Sequence, residues 1–253
     1  MGLAALTPLS FLNAGMDKHL YFFYWPAQNL SDNELQSLMP RLSAVEQKAF
    51  SSSKSLKRQF EVLRGRALLR TVFRKLYNFE LPNKLPVSAS GKPLECNGHS
   101  FNISHSKDVL VLVVSDLGEV GVDIEFDNPD RKFLEVVKNY GTEKELQDIE
   151  KTEPSSRSKK FYSQWCLKES YAKATGEGLS SSLKDIEFDL EKGAFTHSAE
   201  KPICYFQYLN LNGHHVSICH LNKDVLDIDA STVNFTNGDF EFLPLSITPK
   251  TIK

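Results

Sequence analysis

The chain has 253 residues, 41% hydrophobic and 25% charged, with 13 glycines, 11 prolines and a formal net charge of −2. Such a length can bury roughly 70–75% of the surface exposed on unfolding, enough for one large domain or two small ones. The composition excludes a disordered, collagen-like or low-complexity protein, and four scattered cysteines without a CxxC pair exclude a disulfide-stapled one.

The apolar start MGLAALTPLSFLNAGM has no Lys or Arg before Lys18, and Leu6 stands where a myristoylation motif needs Ser or Thr. The apolar runs Tyr21–Pro26 and Val109–Val114 fall far short of the roughly 20 residues of a membrane span. The expectation is a soluble, unprocessed, cytoplasmic protein with reduced thiols and no membrane partner. Residues 1–120 hold 14 basic and 10 acidic side chains, residues 121–253 hold 16 and 22, and 41–75 alone holds ten basic against two acidic. So dense a cationic stretch suggests an anionic partner, against the plainer reading of a solvated helix face.

Ala44–Tyr77 reads as helical in two pieces broken near the serines 51–53, with Arg66, Arg70 and Arg74 four apart on one face. Pro82 and Pro86 end it, and a Gly-Lys-Pro turn follows at 91–93. Phe101–Ser104, Val109–Ser115 and Val120–Phe126 read as strands. Phe133–Lys138 and Glu143–Ile149 read as short helices, the polar stretch Lys151–Lys160 as a linker, and Lys159–Thr175 as a stronger helix closed by Gly176 and Gly178. Ile186–Leu190, Ile203–Leu209 and Val216–His220 read as one antiparallel sheet, and the last 30 residues give no clear pattern. The order predicts an α+β chain in two comparable halves, divided as 1–122 and 123–253.

In Gly121-Val122-Asp123-Ile124-Glu125, strand alternation sends Asp123 and Glu125 to one face and Val122 and Ile124 to the core. Adjacent carboxylates want a cation between them, and an all-oxygen set favours Mg²⁺ or Mn²⁺; the plain alternative is a solvent-facing pair. On the later helix Trp165, Glu169 and Lys173 share a stripe one turn apart. Glu169 and Lys173 could be a routine surface pair, but Trp165 argues that the stripe is partly buried, and buried charges need partners. Phe101-Asn102-Ile103-Ser104-His105-Ser106 ends a strand in small polar residues and a histidine, and Lys92 sits in the Gly-Lys-Pro turn. Each is ambiguous alone.

Together, GKP (91–93), FNISHS (101–106), VGVDIE (120–125), WCLKESYAK (165–173) and GEGL (176–179) resemble the Sfp-type 4′-phosphopantetheinyl transferases over about 55–190. The resemblance implies two similar α+β halves related by a pseudo-two-fold axis, with coenzyme A in the cleft between them. It implies transfer of the phosphopantetheine arm to a serine of an apo acyl or peptidyl carrier protein, with release of adenosine 3′,5′-bisphosphate. Asp123, Glu125 and Glu169 match the acidic positions around Mg²⁺, and Lys173 the lysine on the transferring phosphate. Ser104, His105 and Lys92 match residues that grip coenzyme A, and Arg58 and Arg64 lie where 3′-phosphate arginines occur. Asp123, Glu169 and Lys173 are then the catalytic set, with Glu169 as general base. The resemblance also implies a monomer and a carrier-docking surface around Phe126–Tyr140 and Tyr162, with Arg131 and Lys132 in it. A metal-dependent nuclease would gather similar residues, but the half carrying Glu125 and Glu169 is net −6, so no nucleic-acid partner is expected. A non-catalytic scaffold is disfavoured because the acidic set, Lys173, His105 and Lys92 are all present.

Overall fold

Strand β1 (Leu20–Trp25) shows how the first half is built. Leu20, Phe22 and Tyr24 enter one buried cluster and Phe23 and Trp25 another, so both faces of the strand are covered. Strand β3 (Val109–Ser115) divides likewise, Val109, Val111 and Val113 against Leu110, Leu112 and Val114. The computed structural model describes residues 19–26, 28–52, 55–178, 181–197, 202–222 and 225–253. The N-terminal reading over residues 1–18, Leu179 of the GEGL run and part of the 51–53 break lie outside the described residues.

On one face of β1 and β3 lies α3 (Leu56–Tyr77), with α1 (Asp32–Leu38) and α2 (Ala44–Ser52) beside it. Ser55 caps the N-terminus of α3 by accepting the Arg58 N–H, and Asn78 ends it in the left-handed region at φ 48°. On the other face lies a second sheet, whose Val122, Ile124, Val216 and Ile218 interlock with Phe22, Val111 and Val113. That sheet starts with β4 (Val120–Phe126) and is covered outside by α6 (Pro154–Thr175). The layers therefore run helix, sheet, sheet, helix. The expected α+β class holds.

The halves repeat a topology. β1 pairs antiparallel with β3, and β3 with β2 (Ser100–Ser106), around the helix α3. β4 pairs antiparallel with β8 (His214–His220), and β8 with β7 (Tyr205–Leu211), around the helix α6. The halves are not consecutive in the chain, however. A boundary at 122/123 falls inside β4, and β9 (Ile228–Thr236) returns to pair parallel with β1 while β10 (Asp239–Pro244) pairs with β9. These strands and β11 (Lys250–Ile252), which pairs with β7, account for the C-terminal stretch that has no clear sequence pattern.

Two further expectations are corrected. Ile186–Asp189 (β5) does not join β7 and β8 but pairs with Ala194–His197 (β6) in a separate ribbon. The polar stretch 151–160 is no linker: Pro154 opens α6, and Ser158 is already buried. Ahead of it, α4 (Phe133–Tyr140) and α5 (Glu143–Lys151) pack on Phe161, Tyr162 and Trp165.

Candidate active site

Gly121 explains how α6 comes so close to β4. A Cβ at this position would lie 2.1 Å from the Ser170 carbonyl oxygen and 2.4 Å from the Ala174 nitrogen, so any side chain would push the helix away. With glycine there, Lys173 Nζ reaches Asp123 Oδ1 at 2.6 Å and Ser104 Oγ at 2.9 Å, and Ser104 donates to the same Asp123 oxygen at 3.0 Å. The i,i+4 surface pair is thus superseded: Lys173 bonds across to β4 and β2. Trp165 is buried, as its stripe suggests.

The carboxylates feel one another. Burial first, then the Asp123 charge, push Glu169 up to about 7, against the pull of Lys173. Burial and Asp123 likewise push Glu125 up to about 7, with Arg131, Lys173 and a hydrogen bond from Trp165 opposing. Burial alone would lower Lys173, but Asp123 and then Glu169 outweigh it and hold its ammonium above the ordinary value.

Strand β2 forms the dividing wall. Its Asn102, Ser104 and Ser106 share one face: Asn102 Oδ1 accepts the Val122 N–H at 3.0 Å, and Ser106 Oγ the Phe126 N–H at 3.0 Å. A side-chain seam thus joins β2 to β4. Ile103 and His105 point the other way, towards α3. On that side is a cleft of about 190 Å³ lined by Arg58, Glu61, Arg66, Pro93, Asn102 and His105, among others. A second cleft of the same volume is lined by Ser90, Lys92, Pro93, Asn102, Glu169 and Lys173, among others. Pro93 and Asn102 line both, so the two adjoin.

Within the first cleft, His105 Nε2 lies 3.3 Å from Glu61 Oε2 and Arg58 Nη1 3.7 Å from the same oxygen. Burial lowers the His105 pKa, with Glu61 pulling the other way. Lys92 bonds Glu119 and the Ala174 carbonyl at the end of α6. Arg64 is not brought here. Its guanidinium donates to the Asp108 carbonyl at 2.7 Å and the Pro26 carbonyl at 3.3 Å and stacks on Trp25, 4.3 Å from the ring centre. Arg131 is exposed but turns towards β4, its Nη1 3.7 Å from Glu125 Oε1, and neighbouring Tyr162 is buried. Lys132 stays exposed.

A sequence model described as the 4′-phosphopantetheinyl transferase superfamily matches residues 119–219, the stretch that carries Asp123, Glu125, Glu169 and Lys173. Residues 119–219 are thus similar to this superfamily. Along 84% of its length the chain is 25% identical to the 4′-phosphopantetheinyl transferase gsp of Aneurinibacillus migulanus, of which 84% is covered. It is 32% identical over 195 residues to an L-aminoadipate-semialdehyde dehydrogenase-phosphopantetheinyl transferase of Xenopus laevis, covering 64% of each chain. An 86-residue stretch, 34% of this chain, is 36% identical to a Synechocystis protein, of which it covers 35%. The chain thus spans less than two thirds of the length of the latter two relatives.

The donor set on β4 and α6 suits a divalent cation. Among the described residues no group of three or more His, Cys, Asp or Glu side chains is gathered to hold an ion. Yet Asp123 Oδ2 is buried without a hydrogen-bond partner, and burial, then repulsion from Asp123, raises both Glu125 and Glu169. Such all-oxygen donors fit Mg²⁺ or Mn²⁺.

Sequence reasoning missed Arg66, Glu61 and Asn102 as cleft residues. For Asn102 a signal existed: the period-two polar set Asn102, Ser104, Ser106 on a strand with an apolar opposite face. Arg66 and Glu61 face the cleft by helical phase alone, which is indistinguishable in sequence from that of their neighbours.

Proposed function

We propose that this chain is a 4′-phosphopantetheinyl transferase that moves the phosphopantetheine arm of coenzyme A onto a serine of an apo acyl or peptidyl carrier protein, in a Mg²⁺-dependent reaction. The observation that carries this is Lys173 bonded to Asp123 while it lines, with Glu169, a cleft that adjoins the one bordered by Arg58, Arg66 and His105. One region suits a reacting pyrophosphate and the other suits the remaining anionic groups of the co-substrate.

The carrier serine Oγ forms a bond to the phosphorus bearing the pantetheine arm. The bridging P–O bond breaks, and adenosine 3′,5′-bisphosphate leaves. Glu169 takes the serine proton, since a neutral hydroxyl is a weak nucleophile. Lys173, held between Asp123 and Ser104, faces the charge that builds on the transferring group. Asp123, Glu125 and Glu169 would hold the metal ion, which supplies charge neutralisation to the pyrophosphate when bound. Lys92 borders the nucleotide side of the cleft, and Ser104 and His105, on opposite faces of β2, contact phosphates on either side of it. Arg66 replaces Arg64 beside Arg58 in this assignment. The first half grips and the second half carries the chemistry, as a monomer.

The test is incubation with labelled coenzyme A, Mg²⁺ and an apo carrier protein. Label on the carrier is expected, with loss of transfer in Asp123→Ala; a carrier panel that stays unlabelled while coenzyme A binds would leave a binding scaffold. Among the described residues no helix is long and apolar enough to cross a membrane.

A further inference from the structure

Lys168 and Glu169 are neighbours on α6 whose charges face opposite ways. Glu169 lines the cleft, whereas Lys168 is 2% exposed with its ammonium in the interior. Its Nζ donates to Glu145 Oε2 at 2.8 Å, to the Leu183 carbonyl at 2.7 Å and to the Tyr140 carbonyl at 3.4 Å. These acceptors belong to the last residue of α4, the first turn of α5 and the 3₁₀ turn after α6. One ammonium thus closes three segments onto the turn of helix that carries Glu169.

The surroundings are fitted to this contact. Glu145 Oε2 also accepts the Thr142 N–H at 2.8 Å, and the Glu145 N–H bonds Thr142 Oγ1 at 3.1 Å, so the carboxylate is fixed by a capping box. Gly141 leaves the needed room: a Cβ there would lie 2.8 Å from the Val137 carbonyl oxygen and 3.0 Å from Glu145 Oε2. Glu145 and Gln164, each with a buried unpartnered oxygen, line a cavity of about 10 Å³ beside Lys168 and Trp165. An ion pair so enclosed contributes little net stability, because desolvation offsets its attraction. What it does fix is geometry. The α4–α5 unit is tied to β4 through Arg131, in the segment leading into α4 and 3.7 Å from Glu125, and to α6 through Tyr140, whose ring lies 5.8 Å from that of Trp165. A shift of α6 against this unit therefore moves Glu169 relative to Glu125 and Asp123.

We propose that Lys168 is a positioning residue, which through Glu145, Leu183 and Tyr140 sets the height and rotation of α6 and so the place of Glu169 opposite Asp123 and Glu125. The proposal rests on the transferase reading above, and its test separates the two. Lys168→Met strands the Glu145 charge, so the informative protein is Lys168→Met/Glu145→Gln, which is neutral and retains the Thr142 cap. Thermal midpoint, transfer kcat, coenzyme A KM and the emission of Trp165 in a Trp25→Phe background are measured against the wild type. The expected result is a folded double variant with a midpoint close to wild type and a shifted Trp165 emission. Its kcat should fall about 10–100-fold and its coenzyme A KM stay within about threefold. A double variant with wild-type kcat, or one altered in KM alone, overturns the proposal. If the double variant does not fold, Lys168→Arg carries the same test, since a planar fork does not fit a site shaped for one ammonium. If the wild type transfers nothing, the transferase reading falls, and an unchanged Trp165 emission then overturns positioning by itself.

Discussion

Helices α3 and α6 have the same length, 22 residues, and corresponding places in their halves, yet they use charge in opposite ways. On α3, Arg70 is 7% exposed and is spent on Glu46 at 2.7 Å and on the Leu81 and Pro82 carbonyls. Arg64 braces Pro26 and Asp108, Arg74 pairs with Glu80, and from the neighbouring segment Arg41 pairs with Asp239. Of the ten cations in 41–75, the structure sets Arg58 and Arg66 on a cleft. On α6 the middle and final turns carry fewer charges, but Lys168 pairs with Glu145 and Lys173 with Asp123, each on another element, while Glu169 feels the like charges of Asp123 and Glu125. Charge density along a sequence therefore says little about free charge. What matters is whether the partner lies nearby in the same half or across a desolvated boundary.

The strongest way to break this contrast is Glu169→Gln. If Glu169 were a helix-surface residue, the change would cost at most about 0.5 kcal/mol. As general base it should matter far more: kcat falls at least about 10²-fold, while the protein stays folded and binds coenzyme A. Near-wild-type turnover with binding retained would put α6 on the same footing as α3.

Acid should also separate the halves. His215 and His220 are buried in β8, and burial lowers both to about 4. His215 Nδ1 bonds the Tyr208 hydroxyl at 2.6 Å, and His220 Nε2 bonds Ser115 Oγ across the sheets at 2.7 Å. Both histidines stay neutral in the folded state while the unfolded chain protonates below about 6.5. Stability is therefore full above that pH and lost as pH falls towards 4, by on the order of 2 kcal/mol per group at pH 5. Chemical denaturation from pH 7 to 5 checks the total, and His220→Gln should flatten the slope. Hydrogen exchange that accelerates in β3 before β8 would contradict the assignment.

Each helix also rests on a glycine. Gly121→Ala drives a methyl group into the α6 backbone and should cost about 3 kcal/mol or more, at the upper end of overpacking. Gly65→Ala on α3 meets Leu110 and Ile103 at 3.5–3.7 Å, which is ordinary contact, so it should be neutral or gain up to about 1 kcal/mol from helix propensity. Thermal midpoints of the two variants measure the difference, and equal losses would mean that both helices are equally close-packed.

Much of this was legible in the sequence. Strand alternation put Asp123 and Glu125 on one face, helical phase put Glu169 and Lys173 on another, and the break near Ser51 to Ser53 separated α2 from α3. What was not legible depended on pairing between distant segments. β9 is covered by β1 some 200 residues earlier, and nothing local marks which sheet it joins. Lys173 choosing Asp123 over Glu169, Arg131 turning to Glu125 and Arg64 lying on Trp25 are likewise tertiary choices, because a long flexible cation has several reachable partners and packing selects one. The buried role of Lys168 was hidden for the same reason.

The smallest effect is expected at Arg74, and it tests the contrast from its quiet side. Arg74 Nη2 meets Glu80 Oε2 at 3.1 Å across the end of α3, with both side chains more than half exposed. An exposed pair gains little because water screens it and two long side chains must be ordered, so Arg74→Ala should cost about 0.2–1 kcal/mol. Arg74 lines neither cleft, so coenzyme A KM should not move. Arg58→Ala is the matched control: Arg58 is also exposed, but it borders the cleft and is 3.7 Å from the carboxylate that faces His105. There the expected change is a raised coenzyme A KM with kcat and stability nearly unaltered, because a ground-state phosphate contact is lost. Steady-state kinetics and thermal midpoints on the two proteins decide the matter. Equal rises in KM would restore the whole 41–75 stretch as one diffuse anion grip. A rise confined to Arg58 would localise the grip to the part of α3 that borders the cleft.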